Sequence, residues 1–282
     1  MQTSLQLNPL AQLFENLKVS NNPVHGVLFD IDDTFTSHGR ITAAAYAALE
    51  ALDAAGIACV AVTGRPAGWC DMIARFWPVK AVIGENGAFY MHKVIQEIAQ
   101  QATLKTTWIA QIDDIAGHRA TLAAIAARVM QSVPGCAVAS DQAYRVCDLA
   151  IDFAEDVLQL DALAVEHIAA LLRNEGMTAK VSSIHVNAWF GSHDKLTTTA
   201  LYLRTLQGIS LQAAQKNWLF VGDSPNDSPM FAAFANSVGV ANVQDFAGRM
   251  PTMPQYVCTA HSGAGFVELV KAILQHNSHN SV

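Results

Sequence analysis

Val27-Leu28-Phe29-Asp30-Ile31-Asp32-Asp33-Thr34 decides how this chain is read. Three apolar residues read as the end of a buried strand, which runs directly into two aspartates spaced i and i+2 with a third beside them. Carboxylates are seldom buried unless something compensates them. Several at one strand end call for a cation, and a hard divalent ion such as Mg2+ takes oxygen ligands. An aspartate can also act as a nucleophile towards phosphorus. A calcium loop of the EF-hand kind also begins Asp-x-Asp, but it needs Gly at its sixth position and Glu at its twelfth. Counted from Asp30 those positions are Phe35 and Ile41, which excludes it. A plain strand followed by an acidic turn remains open on this segment alone.

The surrounding chain supplies the setting. Its 282 residues allow one large domain or two modest ones, and 51% hydrophobic with only 15% charged residues provides for a large core. The net charge of -7 and the lack of a basic run argue against nucleic acid as a partner. No apolar stretch is long enough to span a bilayer, and nothing implies a protein partner. The first basic residue is Lys18, so residues 1–20 do not read as a signal peptide. Five scattered cysteines, none in a C-x-x-C pair, read as reduced thiols of a cytoplasmic protein.

Outward from the opening segment the pattern alternates. Leu10, Leu13, Phe14 and Leu17 predict a peripheral helix, followed by a turn at Asn21-Asn22-Pro23 and a strand over 24–29. Thr42 reads as the N-cap of a helix carrying Tyr46, Leu49 and Leu52 and closed by Gly56. Ile57 to Val62 is a continuous apolar run, as in a parallel strand covered on both faces; a helix follows to about Pro78, then a strand over 79–83. The rhythm changes after Asn86-Gly87. Residues 91–117 are ambiguous, 119–131 predict a helix, 136–141 and 144–153 strands, 158–174 a helix and 178–190 a long strand. From Asp194 the alternation resumes: a helix to about Gln207, a strand from Trp218 to Val221, short segments at 237–241 and 256–259, and a helix over 264–275. The expectation is an α/β, Rossmann-like parallel-sheet core (23–90 and 191–276) with an inserted α+β cap (91–190), an N-terminal extension (1–22) and a flexible tail (277–282).

In an open parallel sheet, ligands bind beyond the carboxyl ends of the strands. Four polar clusters fall at such places: Asp30-Ile31-Asp32, Thr63-Gly64-Arg65, Ser192-His193-Asp194-Lys195 and Gly222-Asp223-Ser224-Pro225-Asn226-Asp227. Together they offer a nucleophile, a hydroxyl, an ammonium and further carboxylates, which suits phosphoryl transfer.

These residues resemble the haloacid-dehalogenase (HAD) superfamily. Asp30 to Thr34 is similar to its Asp-x-Asp-x-Thr motif, Thr63 to the hydroxyl residue ending its second motif strand, Lys195 to its helix-start lysine, and Gly222 to Asp227 to its Gly-Asp-x-x-x-Asp motif. The Asn-Asp ending and the large insertion resemble the Cof-like and sugar-phosphatase branches, and Gly84-Glu85-Asn86-Gly87-Ala88 resembles the exit towards their cap. Asp33 departs from the family, where Gly is commoner.

The resemblance implies a Mg2+-dependent phosphatase for a small phosphorylated substrate, a sugar phosphate above all. Asp30 would attack phosphorus and bind Mg2+. Asp32 would serve as acid and base and bind the metal through its carbonyl. Asp223 would complete the ligands, with Asp227 binding through water or orienting Lys195. Thr63, Gly64, Lys195 and Asn226 would hold the phosphoryl group. Arg65 falls between phosphate or substrate contact and a salt bridge, and His193 is a candidate substrate contact. On the cap, Arg145, Asp152, His185, Asn187 and Trp189 are candidates; positions 185, 187 and 189 share one strand face, which either closes over the site to grip a sugar or is an exposed or interdomain sheet face. A phosphomutase on the same scaffold, or a non-catalytic phospho-acceptor of the receiver-domain kind, would also gather Asp, Thr and Lys at strand ends.

Overall fold

The computed structural model describes residues 7–96 and 101–279. Its strands are β1 (Asn8–Pro9), β2 (Gly26–Phe29), β3 (Ala58–Val62), β4 (Ala81–Gly84), β5 (Phe89–Gln96), β6 (Gln101–Trp108), β7 (Ala137–Val138), β8 (Asp148–Asp152), β9 (Thr178–Val181), β10 (His185–Trp189), β11 (Trp218–Gly222), β12 (Ser237–Gly239) and β13 (Tyr256–Val257). The helices are α1 (Leu10–Ser20), α2 (Ala43–Ala54), α3 (Ala67–Phe76), α4 (Ile115–Ser132), α5 (Ala162–Asn174), α6 (Lys195–Leu206), α7 (Leu211–Ala214), α8 (Ser228–Ala233) and α9 (Ser262–His279).

Nine strands form one sheet in the order β1-β13-β12-β11-β2-β3-β4-β5-β6, and β7-β8-β10-β9 form a second, antiparallel sheet. The larger sheet is parallel from β1 to β4, with the β5–β6 pair added antiparallel. The continuous apolar runs follow from burial on both faces. Val27 and Phe29 of β2 pack with α1, α2, α3 and α9, whereas Leu28 packs with α6 and α8. Cys59 and Ala61 divide from Val60 and Val62 in the same way on β3. Gly26 is required because a Cβ there would run into the Trp218 ring of the neighbouring strand.

The small sheet carries α4 and α5 on one face, where Leu149, Ile151, Val186 and Ala188 pack against Leu122, Ile125, Ile168 and Leu172. Its other face carries Asp148, Asp152, His185, Asn187 and Trp189, all buried. The architecture is thus α/β, a Rossmann-like sheet with an inserted α+β unit.

Several expectations are corrected. The core sheet does not end at residue 90: β5 continues past it and β6 pairs with it in register, so the expected start of the cap at 91 falls inside the large sheet. Residues 1–22 are not simply an appended extension, at least from residue 7. Leu10, Leu13, Phe14 and Leu17 join the main core, and Asn8–Pro9 pair with Tyr256–Val257. The tail expected from 277 continues α9 through His279. Asn277 accepts from the Val24 N–H at 2.9 Å and donates to its carbonyl at 2.8 Å, and His276 is buried beside the Asn22 carbonyl. The long strand over 178–190 is a hairpin, turned at Ser182–Ile184, with Val186 opposite Val181. The strands expected over 136–141 and 144–153 shrink to β7 and β8, because Asp141 and Arg145 turn inward to pair with each other.

Candidate active site

The three motif-bearing strands lie side by side as β11-β2-β3, with β2 in the middle. From β2 the chain moves to β3 and β4 on one side and later returns to β11 on the other, so the crevice opens at a topological switch point. Asp30, just past β2, donates its N–H to the Val221 carbonyl at 2.9 Å, which keeps it level with the end of β11. The turn beyond it closes through Phe35 and Thr36 N–H groups on the Ile31 carbonyl. Asp33, the departure from the family pattern, holds a left-handed φ of 52°, the region glycine occupies without steric cost.

Lys195 is the first residue of α6, whose start is fixed by Asp194 accepting from Thr197 N–H. Its Nζ lies 2.7 Å from Asp30 Oδ1 and 2.7 Å from Asp227 Oδ1. The other Asp227 oxygen accepts from Asp223 N–H at 3.0 Å and Ser224 N–H at 3.3 Å. This close approach needs Gly222, where a Cβ would collide with the Asp227 carboxylate. Asp223 accepts from Thr34 Oγ at 3.3 Å and from Asn242 Nδ2 at 3.0 Å, both neutral donors. Burial pushes the Asp30 carboxyl up to about 8, with Lys195 opposing, and burial followed by repulsion from Asp30 pushes Asp223 well above the carboxylate range. Lys195 stays protonated: burial works against its charge, but Asp227 and Asp30 outweigh it.

Asp30, Asp223 and Asp227 bring carboxylate oxygens within 4.8 Å of one another, all buried, with Lys195 as the cation between them. Such an all-oxygen, anion-rich donor set fits a hard divalent cation. The Asp32 side chain stands outside this group. Arg65 grips it, with Nε 3.0 and 2.9 Å from its two oxygens and Nη2 2.7 Å from Oδ1. Arg65 is ion-paired here on all sides, since Glu155 and Asp141 take its remaining donors.

Asp30, Asp32, Gly64, Arg65 and Asn226 line one pocket together with Arg145, Ser182, His185 and Asn187. His185 and Asn187 therefore do turn the expected strand face onto the site, while Trp189 stacks on His193 with ring centroids 5.4 Å apart. His193 does not line that pocket. The Trp189 ring covers one of its faces. Thr63 is fully buried and its Oγ accepts the Arg65 N–H at 3.0 Å, shaping the turn. Asp152 accepts three backbone N–H groups from residues 154 to 156, a loop-forming role.

Sequence reasoning missed four groups. Asp141, Asp148 and Glu155 complete the ion network with Arg65 and Arg145. Glu85, at a φ of 42°, accepts N–H groups of Ala67 (2.9 Å), Val146 (3.0 Å), Cys147 (2.6 Å) and Asp148 (3.2 Å), tying the two sheets' segments together. Burial, then Asp148, pushes it up to about 7. The Gly84–Ala88 segment carried a signal in its Glu-Asn-Gly run, but not which groups the glutamate would bind. Asn86 beside it leaves a buried Nδ2 without a hydrogen-bond partner among the described residues.

Fold and site define a capped α/β protein with an acidic, lysine-bearing centre. The family model for haloacid dehalogenase-like hydrolase matches residues 27–129. Among solved structures, a putative HAD/COF-like hydrolase from Plasmodium vivax is 18% identical with a TM-score of 0.65, covering 93% of this chain and 99% of its own. The Thermoplasma acidophilum 0175 structure is 16% identical (TM-score 0.63, covering 90% and 99%). A sucrose-phosphatase from Synechocystis sp. PCC6803, in complex with sucrose and phosphate, is 17% identical (TM-score 0.58, covering 89% and 98%). No curated protein sequence matches. Over residues 27–129 the chain is thus similar to haloacid dehalogenase-like hydrolases, and its fold is that of the capped structures named above.

Proposed function

We propose that this chain is a Mg2+-dependent phosphoric monoester hydrolase acting on a small sugar phosphate through an aspartyl-phosphate on Asp30. One observation carries the reading: Asp30 sits at the carboxyl end of the central strand, 2.7 Å from the Lys195 ammonium and grouped with the buried Asp223 and Asp227 carboxylates. The sucrose-phosphatase likeness supports the substrate class.

Asp30, Asp223 and the Asp32 carbonyl would hold the ion, with Asp227 fixing Lys195 from behind. Bound there, Mg2+ supplies charge neutralisation for the nucleophile and the phosphoryl oxygens. Asp30 then forms the bond to phosphorus. Asp32 gives a proton to the leaving oxygen and afterwards takes one from the water that releases phosphate. Lys195, the Gly64 backbone and the amides of Asn226 and Asn86 receive the phosphoryl oxygens, with Thr63 setting the turn.

The pocket beside Asp30 has a volume of only 10 Å³, about one water. A phosphate ester enters only when the small sheet moves away, so substrate binding is coupled to cap opening. A wider cleft of 1030 Å³ along the seam, reaching Asp223, leaves room for the sugar. All five cysteines are free thiols, and no helix among the described residues is long and apolar enough to cross a membrane; we place the protein in the cytoplasm.

The test is inorganic phosphate release from a panel of sugar phosphates and other small monoesters, with Mg2+ or EDTA. Turnover of a few sugar phosphates that EDTA abolishes is expected. A folded, Mg2+-binding protein that turns over none of them would refute the reading.

A further inference from the structure

Arg65 is held from two sides. Its Nε and Nη2 grip both oxygens of Asp32, and its opposite edge meets Glu155, with Nη2 2.6 Å from Oε1 and Nη1 3.3 Å from Oε2. Nη1 also lies 3.3 Å from Asp141 Oδ2, and the Trp69 ring lies 4.4 Å from the guanidinium carbon. Glu155 is in turn 2.9 Å from His185 Nε2 on β10. Among the described residues, Arg65 is the sole hydrogen-bond partner of the Asp32 carboxylate. The place of that carboxylate is therefore set by a guanidinium whose own place is set by the inserted unit.

We propose that Glu155 is a positioning residue that aims the Asp32 carboxylate at the leaving oxygen through Arg65, and does so only when the small sheet is closed. The proposal rests on the phosphatase reading. A planar five-donor fork can hold two carboxylates in fixed relation, which a single ammonium cannot. Closing the small sheet brings Glu155 and Asp141 to the fork, and the fork orients Asp32. In the first step a carboxylate oxygen of Asp30 bonds to phosphorus and the ester P–O bond breaks. Its electron pair passes to the leaving oxygen, which takes the proton carried by Asp32. An alkoxide leaving group depends on that proton; a nitrophenolate departs without it.

Sensitivity to the leaving group separates this role from that of a mere latch between the two sheets. The experiment measures kcat/KM, which reports steps up to formation of the phospho-enzyme, for an alkyl sugar phosphate that the wild type hydrolyses and for p-nitrophenyl phosphate. The variants are Glu155→Gln and, should that fold poorly, Arg65→Lys. The expected result is a fall of about ten- to a hundredfold on the sugar phosphate, with the aryl ester changed less than about threefold. Equal losses on both esters would reduce Glu155 to a latch and overturn the proposal, as would no loss on either. A wild type that hydrolyses neither ester would instead overturn the phosphatase reading beneath it.

Discussion

Two groups of buried and half-buried carboxylates meet in this molecule, and they are satisfied in different ways. Along the seam between the sheets, Asp141 and Asp148 each face Arg145 at 2.9–3.0 Å, Asp32 and Glu155 share Arg65, and Glu85 takes four backbone N–H groups. At the ends of β2 and β11, by contrast, Asp223 receives, among the described residues, only a hydroxyl and an amide, and Asp30 shares a single lysine with Asp227. The seam is closed within the protein, whereas the strand-end group stays short of positive charge. A cluster that satisfies itself builds structure; one whose charge is uncompensated holds protons until a cation replaces them, and is suited to receive that cation and a phosphoryl group.

The largest expected effect separates the two groups by activity. Asp30→Asn keeps the shape of the side chain and removes the nucleophile, so kcat on a sugar phosphate should fall by about a thousandfold or more with the thermal midpoint maintained. Residual turnover near wild type would place the chemistry elsewhere. Arg145→Met should act on stability. It leaves Asp141 and Asp148 buried without their partner, at a cost of about 3–5 kcal/mol, visible as a lowered denaturation midpoint. A midpoint within error of wild type would mean that the seam is not the internally satisfied cluster described.

A smaller effect sharpens the contrast through pH. Burial raises Asp30 to about 8 before metal binds, so binding must expel a proton. Mg2+ affinity should therefore rise by about tenfold or more between pH 7 and pH 9, since Asp223 is raised as well. Calorimetry in buffers of different ionisation enthalpy checks the proton release, and an affinity flat across that range would show that the strand-end group is already compensated.

The smallest effect lies in the seam. Burial works against the Glu155 charge, but His185 and Arg65 hold the carboxyl down at about 2. A depressed acid contributes stability that is present above its unfolded value near 4.5 and lost as pH falls towards 2. Because Glu155 is partly exposed, that contribution is screened to about 1 kcal/mol. The stability difference between wild type and Glu155→Gln should shrink between pH 4.5 and pH 3; a difference constant with pH would break the assignment.

The same contrast explains what could be read from the chain. Strand-end chemistry is local: Val27 to Thr34 shows both the buried strand and the residues after it, and β3 and β11 repeat the pattern at Thr63 and Gly222–Asp227. Adjacent parallel strands then bring those ends together by topology alone. The face of β10 was also legible, since alternation puts His185 and Asn187 on one side. The seam was not. Arg65 finds Glu155 at a sequence separation of 90 and Asp141 at 76, and no periodicity links a turn in one sheet to a loop of another. The β5–β6 pair escaped for a different reason. It is partly exposed, with Thr103, Lys105 and Thr107 on an edge strand, so its alternation is weakly apolar. The stacking of Trp189 on His193 was not legible either, since it joins the end of a strand to a loop.

The most direct test of the central claim is to quench the enzyme in acid during turnover of a sugar phosphate with Mg2+ and locate the phosphoryl group by peptide mass spectrometry. Phosphate on Asp30, absent in Asp30→Asn and in EDTA, is the predicted result. Steady turnover with no phosphoryl group on Asp30, or with the group on another residue, would contradict it.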